Sequence, residues 1–177
     1  MTTFKEPIPT PGPKQILLRV HAAALNYRDQ LAVDANPGYP LATQIPLIPC
    51  SDGAGVVEEL GRGSKWKKGD RLVIQPNDWL TGTDVRALRF DNVLGAGSKD
   101  GTLRRWMIVD DEYLFRAPAS LSLEEASTLF TAGNTAWNAL HYGLTKVKPR
   151  STVLTMGTGG VSCYAIMVIT PDRIKGA

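Results

Sequence analysis

Apolar and polar positions alternate over short runs through the first two thirds of the chain, and the spacing lengthens after Pro118. Residues 15–21 set Ile16, Leu18 and Val20 on one side of an extended strand. Small residues from Cys50 lead into a second strand that ends at Gly61-Arg62-Gly63. Lys68-Gly69-Asp70 turns the chain into a third strand over 71–74, and 105–109 and 113–116 predict two more. Short strands with turns between them describe a compact β-barrel. Residues 26–31 have room for one or two helical turns, with Asn26 as a cap. The proline-rich stretch 7–13 can form neither helix nor inner strand and reads as an extended lead-in. Pro37, Gly38 and Pro40 break the chain, and residues 77–101, polar and glycine-rich, read as a long surface excursion.

Beyond Pro118 the pattern is helical. Ser122 and Glu125 stand at the two ends of a capping box, and 123–129 follows with helical spacing. A second helix is predicted over 134–141, stopping at Gly143. After Pro149 the apolar run 153–156 meets Gly157-Thr158-Gly159-Gly160, and an apolar segment, 163–169, runs on to Pro171. This is strand, tight turn, helix. Glycines at 157 and 159 permit a sharp turn and close approach of a ligand, and free N–H groups at the helix start suit a phosphate. Ser162 stands where the G-x-G-x-x-G pattern has its third glycine. A helix apolar on every side should be buried, and one strand with one helix cannot bury it. The chain is therefore expected to be part of a larger enzyme or a shortened product. The division is expected at 1–117 and 118–177.

Hydrophobic residues make up 43% and charged residues 21%, as in an ordinary globular protein, and the net charge is only +3. The densest basic run, Lys65-Trp66-Lys67-Lys68, ends in Gly69-Asp70 and reads as a solvated turn, which argues against nucleic-acid binding. No apolar stretch reaches the length of a membrane span, and the first residues carry no apolar signal region, so a cytoplasmic protein is expected. Cys50 and Cys163 lie far apart in apolar surroundings and read as reduced core thiols.

Four stretches, in order, carry a resemblance: residues 20–29, Val20-His21-Ala22-Ala23-Ala24-Leu25-Asn26-Tyr27-Arg28-Asp29; residues 48–57, with Gly69-Asp70-Arg71-Leu72 after them; residues 121–129, with Thr131-Ala132-Gly133-Asn134-Thr135-Ala136-Trp137; and Gly157-Thr158-Gly159-Gly160-Val161-Ser162. Together they resemble the medium-chain dehydrogenase/reductase superfamily, in particular its zinc-free quinone oxidoreductase and alcohol-dehydrogenase-like branch. The resemblance implies an α/β plus β fold: a GroES-like β-barrel, then the opening βα unit of an incomplete Rossmann domain, with the active site in the cleft between. Relatives have a further hairpin before this chain and most of a nucleotide domain after it, so both ends are expected to be clipped.

The resemblance also implies roles. Zinc-type relatives carry Cys at Asn26 and His at Ser51, and neither residue here is a zinc ligand. The excursion 77–101 has no cysteine, so no structural zinc lobe is expected. His21 and His141 fall outside the motifs, in a strand and at a helix end. Asn26 and Tyr27 would lie beside the nicotinamide. Asn26 would bond a carboxamide or ribose hydroxyl, and Tyr27 would donate to a developing oxyanion. A helix cap for Asn26 and a packed aromatic for Tyr27 stay open. Tyr39 matches a position near the cofactor, with a turn aromatic as the alternative. Thr135 matches a cofactor contact, with a helix cap as the alternative. Gly157, Gly159, Gly160 and Val161, with Ser162, would hold the pyrophosphate. Asp52 reads as structural, and Trp66, Trp79, Trp106 and Trp137 as packing.

The implied activity is zinc-independent hydride transfer between NADPH or NADH and a carbonyl, quinone or activated alkene, with a small-molecule substrate and neither nucleic acid nor membrane as partner. Two readings stand beside it: an inactive remnant with a GroES-like fold, and a trans-acting enoyl reductase of a polyketide or secondary-metabolite pathway. Full-length relatives suggest a homodimer, and the apolar segment suggests self-association or aggregation of this chain.

Overall fold

The computed structural model describes residues 2–34, 36, 45–77, 86, 92–143 and 147–174, the last five as backbone only. The chain forms two compact units, Met1–Thr128 and Leu129–Ala177.

The first unit is built on one five-stranded antiparallel sheet. Its strands are β1 (Gln15–Ala24), β2 (Asp52–Leu60), β3 (Arg71–Ile74), β4 (Trp106–Asp110) and β5 (Leu114–Arg116), in spatial order β4-β1-β2-β3-β5. The alternation seen in the sequence sets its core. Ile16 and Leu18 of β1 are sealed together with Val57, Leu72, Ile74, Met107, Val109 and Leu114, and Val20 packs against them. Leu17 and Val73 alternate to the opposite face and are buried as well, because α2 (Leu123–Ser127) packs over β1, β2 and β3. Each such side chain contributes roughly 1.5–3 kcal/mol. Two bulges interrupt the β1–β2 ladder, between Leu17 and Leu18 and between Val20 and Ala22, and such bulges sharpen a sheet's twist. At Gly55 a Cβ would lie 2.2 Å from the Arg19 carbonyl oxygen, so only glycine lets β1 and β2 approach this closely.

The region 77–101 departs from expectation at its C-terminal end. Leu94 joins the core and Ala96 is fully buried. Gly101 and Thr102 donate to the carbonyls of Ile48 and Cys50 at 2.7 and 2.8 Å, which draws this end against 48–50 instead of out into solvent. Cys50 is buried as expected. Cys163 is exposed, correcting the expectation of a second core thiol.

In the second unit a π-helical segment, Leu129–Asn134, continues into α3 (Thr135–His141), and α4 (Gly160–Ile174) packs on both. Ala136, Leu140 and Ala165 form its core, flanked by Val153, Tyr164, Val168 and Ile169. The segment 163–169 is thus sealed on one side only. Ile166 and Met167 remain 50% and 63% exposed, since within this unit only one layer of helix faces α4. The expected strand 153–156 is not formed: a strand exists through ladder hydrogen bonds, and no described residue supplies them.

Candidate functional site

The residues expected at the site divide between the two units. In the first, the β1–β2 register sets the geometry. Ala24, the last residue of β1, pairs with Asp52, the first of β2, so the chain leaving β1 passes the Asp52 carboxylate. Asn26 lies two residues on, in extended conformation, as the N-cap of α1 (Tyr27–Val33). Its N–H donates to Asp29 Oδ2 at 2.8 Å, and its carbonyl accepts from the Asp29 N–H at 2.9 Å. Its carboxamide oxygen faces the Asp29 N–H, completing a capping box, while Nδ2 donates to Asp52 Oδ2 at 3.1 Å. Asn26 thus caps α1 with its backbone and its carboxamide oxygen, and partners Asp52 through Nδ2.

Burial around this pair is deep. Asp29 is 3% exposed, and Ser51, Asp52 and Thr102 are sealed. Thr102 Oγ1 donates to the Asp52 carbonyl at 2.7 Å. Asp29 Oδ1 takes no hydrogen bond and lies 3.6 Å from Arg28 Nη2, which also donates to the Leu94 carbonyl at 3.0 Å. Burial pushes the Asp29 carboxyl above its ordinary value; the Asn26 N–H and Arg28 act against that, and Asp52 adds to it. Burial, with Asp29 next, pushes the Cys50 thiol up to about 11. Asp29, which closes the cap, was not singled out from the sequence, although an acidic residue three places after Asn26 is the signal for it. The Arg28–Leu94 bond spans 66 residues and leaves no local trace in the sequence. Tyr27 begins α1 with 77% of its surface exposed. Tyr39 and Trp79 lie outside the described residues.

The second group is the glycine bend. Gly157 has φ +82°, a conformation that favours glycine, and no atom lies within 4 Å of where its Cβ would be. Gly159 has ordinary φ and equally open surroundings, so nothing among the described residues demands glycine there. A Cβ on Gly160 would meet the Ala132 methyl at 3.0 Å, so this residue sets how near α4 approaches the π-helical segment. Ser162 Oγ donates to the Met156 carbonyl at 3.1 Å, tying the first turn of α4 to the run before the bend. Cys163 closes the bend as well: its N–H donates to the Gly159 carbonyl at 3.1 Å and its Sγ lies 3.5 Å from the Thr158 carbonyl. The N–H groups of 157–162 take no acceptor among the described residues and point from a helix start, with Val161 partly exposed. Thr135 Oγ1 donates to the Thr131 carbonyl at 2.5 Å, an interaction along the helix and not a cap.

Among the described residues, no three His, Cys, Asp or Glu side chains converge to hold a metal ion. At Asn26 and Ser51, the positions that the resemblance matches to zinc ligands, the chain has an amide nitrogen directed at Asp52 and a sealed serine. His21 is exposed on β1. His141 ends α3 with its ring 4.0 Å from that of Trp137 and no hydrogen bond to its buried Nε2.

A five-stranded antiparallel sheet with an asparagine cap at its rim, followed in the chain by a glycine bend opening a long helix, is the arrangement of the medium-chain dehydrogenase/reductase superfamily. Within it, the chain belongs to the alcohol dehydrogenase GroES-like domain family, whose pattern matches residues 12–119. A zinc-type alcohol dehydrogenase-like protein of Schizosaccharomyces pombe is 39% identical over 159 residues, covering 88% of this chain and 44% of its own length. A crystal structure of a Sinorhizobium meliloti 1021 protein assigned as an alcohol dehydrogenase superposes with a TM-score of 0.78 at 33% identity, over 93% of this chain and 48% of that one. A crystal structure of an NAD-dependent alcohol dehydrogenase superposes at 0.77, with 32% identity over 93% and 49%. The chain thus spans about half the length of the relatives it matches. No helix among its described residues is long and apolar enough to cross a membrane.

Proposed function

We propose that this chain supplies the substrate-side residues and the phosphate-holding bend of a zinc-independent NAD(P)(H)-dependent oxidoreductase acting on a carbonyl, quinone or activated alkene. The observation that carries the reading is the open bend: the amides of 157–162 have no acceptor among the described residues, and Gly159 keeps a bare backbone that no described residue requires. A bound pyrophosphate answers both. The nicotinamide, when bound, supplies or accepts the hydride. The chain's own residues orient it. Gly157, Gly159, Gly160 and Val161 donate backbone N–H groups, with Ser162 closing the bend; Asn26 receives a donor group; and the Tyr27 hydroxyl donates to a developing oxyanion. Tyr39 and Thr135 are assigned to cofactor contact. Zinc independence is supported by the Asn26–Asp52 hydrogen bond and the nearby guanidinium, which occupy the place where a ligand set would have to converge.

The test uses the chain's own thiols. Cys163 is exposed at the bend, whereas Cys50 is buried and its thiol, pushed up to about 11, holds only about one thiolate in a thousand at pH 8. Alkylation of the native protein therefore reads Cys163. NADPH or NADH is expected to bind with a change in nicotinamide fluorescence and to slow Cys163 alkylation, with no zinc added. A well-folded chain that gives a silent titration and unprotected Cys163 favours an inactive remnant instead.

A further inference from the structure

We propose that Asp52 is a positioning residue: it presents Asn26 to the ligand as a hydrogen-bond acceptor, so that this end of the site selects groups that donate over groups that only accept. The β1–β2 register delivers Asn26 to Asp52, and Asp29 grips both the N–H and the carbonyl of Asn26, so its Cα cannot swing away. With the backbone held, one torsional choice remains, which end of the carboxamide faces Asp52. A carboxylate has only acceptors. Nδ2 facing Oδ2 gives the 3.1 Å hydrogen bond; the flipped amide would set Oδ1 against Oδ2, oxygen against oxygen, in a nearly water-free setting. Oδ1 is then the atom left open. It faces the Asp29 N–H in the capping box with one lone pair and keeps the second for a ligand, Asn26 being half-buried.

An accepting Asn26 suits a hydroxyl or the NH₂ of a carboxamide and repels a bare carbonyl oxygen. Donation to a carbonyl oxygen then falls to Tyr27, the exposed residue next along the chain. The selection rests on the dinucleotide reading above, and the two are separable by experiment.

In ¹⁵N–¹H spectra of the purified chain, the Asn26 side-chain amide pair, identified by its loss in Asn26→Ser, is expected to exchange slowly with water, and in Asp52→Ser to exchange as in a free asparagine. Fast exchange in the wild type overturns the lock. The selection is read from binding of NADH against its 3-acetylpyridine analogue, whose methyl ketone accepts but cannot donate. A roughly tenfold preference for NADH is expected in the wild type, falling toward parity in Asp52→Ser. If the donor is the nicotinamide-ribose hydroxyl, the tenfold loss appears instead with the 2′-deoxy analogue and is again erased by Asp52→Ser. A purely structural Asp52 would weaken all three dinucleotides together, and preserved ratios overturn the selection. Parity of all three dinucleotides in the wild type does so without any variant. If none of the three binds while the amide stays protected, the lock stands, the dinucleotide reading fails, and the proposed selection fails with it.

Discussion

Asp29 joins helix capping to charge burial. Its Oδ2 holds the Asn26 N–H, its Oδ1 lies 3.6 Å from Arg28 Nη2, and it is almost closed to water. Burial sets the direction of its pKa, upward, against the pull of the Asn26 N–H and Arg28 and with the push of Asp52; Cys50 is a further titratable group in this cluster. With the folded pKa above the unfolded one, the folded chain keeps a proton just above the ordinary carboxylate value, where the unfolded chain has released it. The stability this group contributes is full below that window and is lost as pH rises through the folded pKa. Asp29→Asn keeps an acceptor for the Asn26 N–H and removes the titration. It is expected to flatten the fall in stability as pH rises from the ordinary carboxylate value to neutrality. Urea unfolding of both proteins at the two ends of that range measures this; parallel curves would assign the pH dependence elsewhere. Asn26 was legible as a cap from its residue type, but its side chain's preference for Asp52 was not, because it depends on which strand lies opposite Ala24.

Elements with a local cause were readable in advance. β3 falls at 71–74 because Gly69-Asp70 turns the chain and four apolar-rich residues follow, and α2 starts at Leu123 because Ser122 and Glu125 cap each other, at 3.1 and 2.8 Å. Elements whose form depends on a neighbour were not. The π-helical turn over Leu129–Asn134 sets Gly133, whose Cβ would meet the Tyr164 ring at 3.4 Å, and Ala132 against α4, and spacing alone gave only an ordinary helix up to 129. Two substitutions compare local with tertiary cause. Ser122→Ala removes one exposed capping hydroxyl and is expected to cost about 1 kcal/mol. Gly55→Ala drives a methyl into the Arg19 carbonyl, so the central β1–β2 pair must part, and a cost of about 3 kcal/mol or more is expected. Denaturant midpoints decide it. Equal losses would mean that the β1–β2 spacing is softer than the 2.2 Å approach implies.

On the scale of the molecule, the strand-rich composition before Pro118 and the helical spacing after it marked where strands give way to helices, although the sheet closes over long separations, β1 pairing with β4 from Gln15–Asp110 to Arg19–Trp106. α2, placed by the sequence after the change of texture, packs on the sheet of the first unit, since its buried residues Leu123 and Ala126 need an apolar face. What the sequence could not supply is how completely the second unit's apolar residues are covered. Leu154 and Met156 alternate with Val153 on an unpaired run and are 84% and 85% exposed, and Ile166 and Met167 of α4 add to the apolar surface of that unit. Two features favour association: large aliphatic side chains in water, and a backbone segment whose N–H and C=O groups have no ladder partner. The chain is therefore expected to self-associate at micromolar concentration. Replacing Leu154 and Met156 by serine together should lower the association by removing the apolar half of the cause, without touching the bend at 157–162 or the sheet of the first unit. Sedimentation velocity over a concentration series measures it. Wild-type protein that stays a monodisperse monomer would show that this surface is inert, and a double variant that associates as strongly as the wild type would place the contact elsewhere.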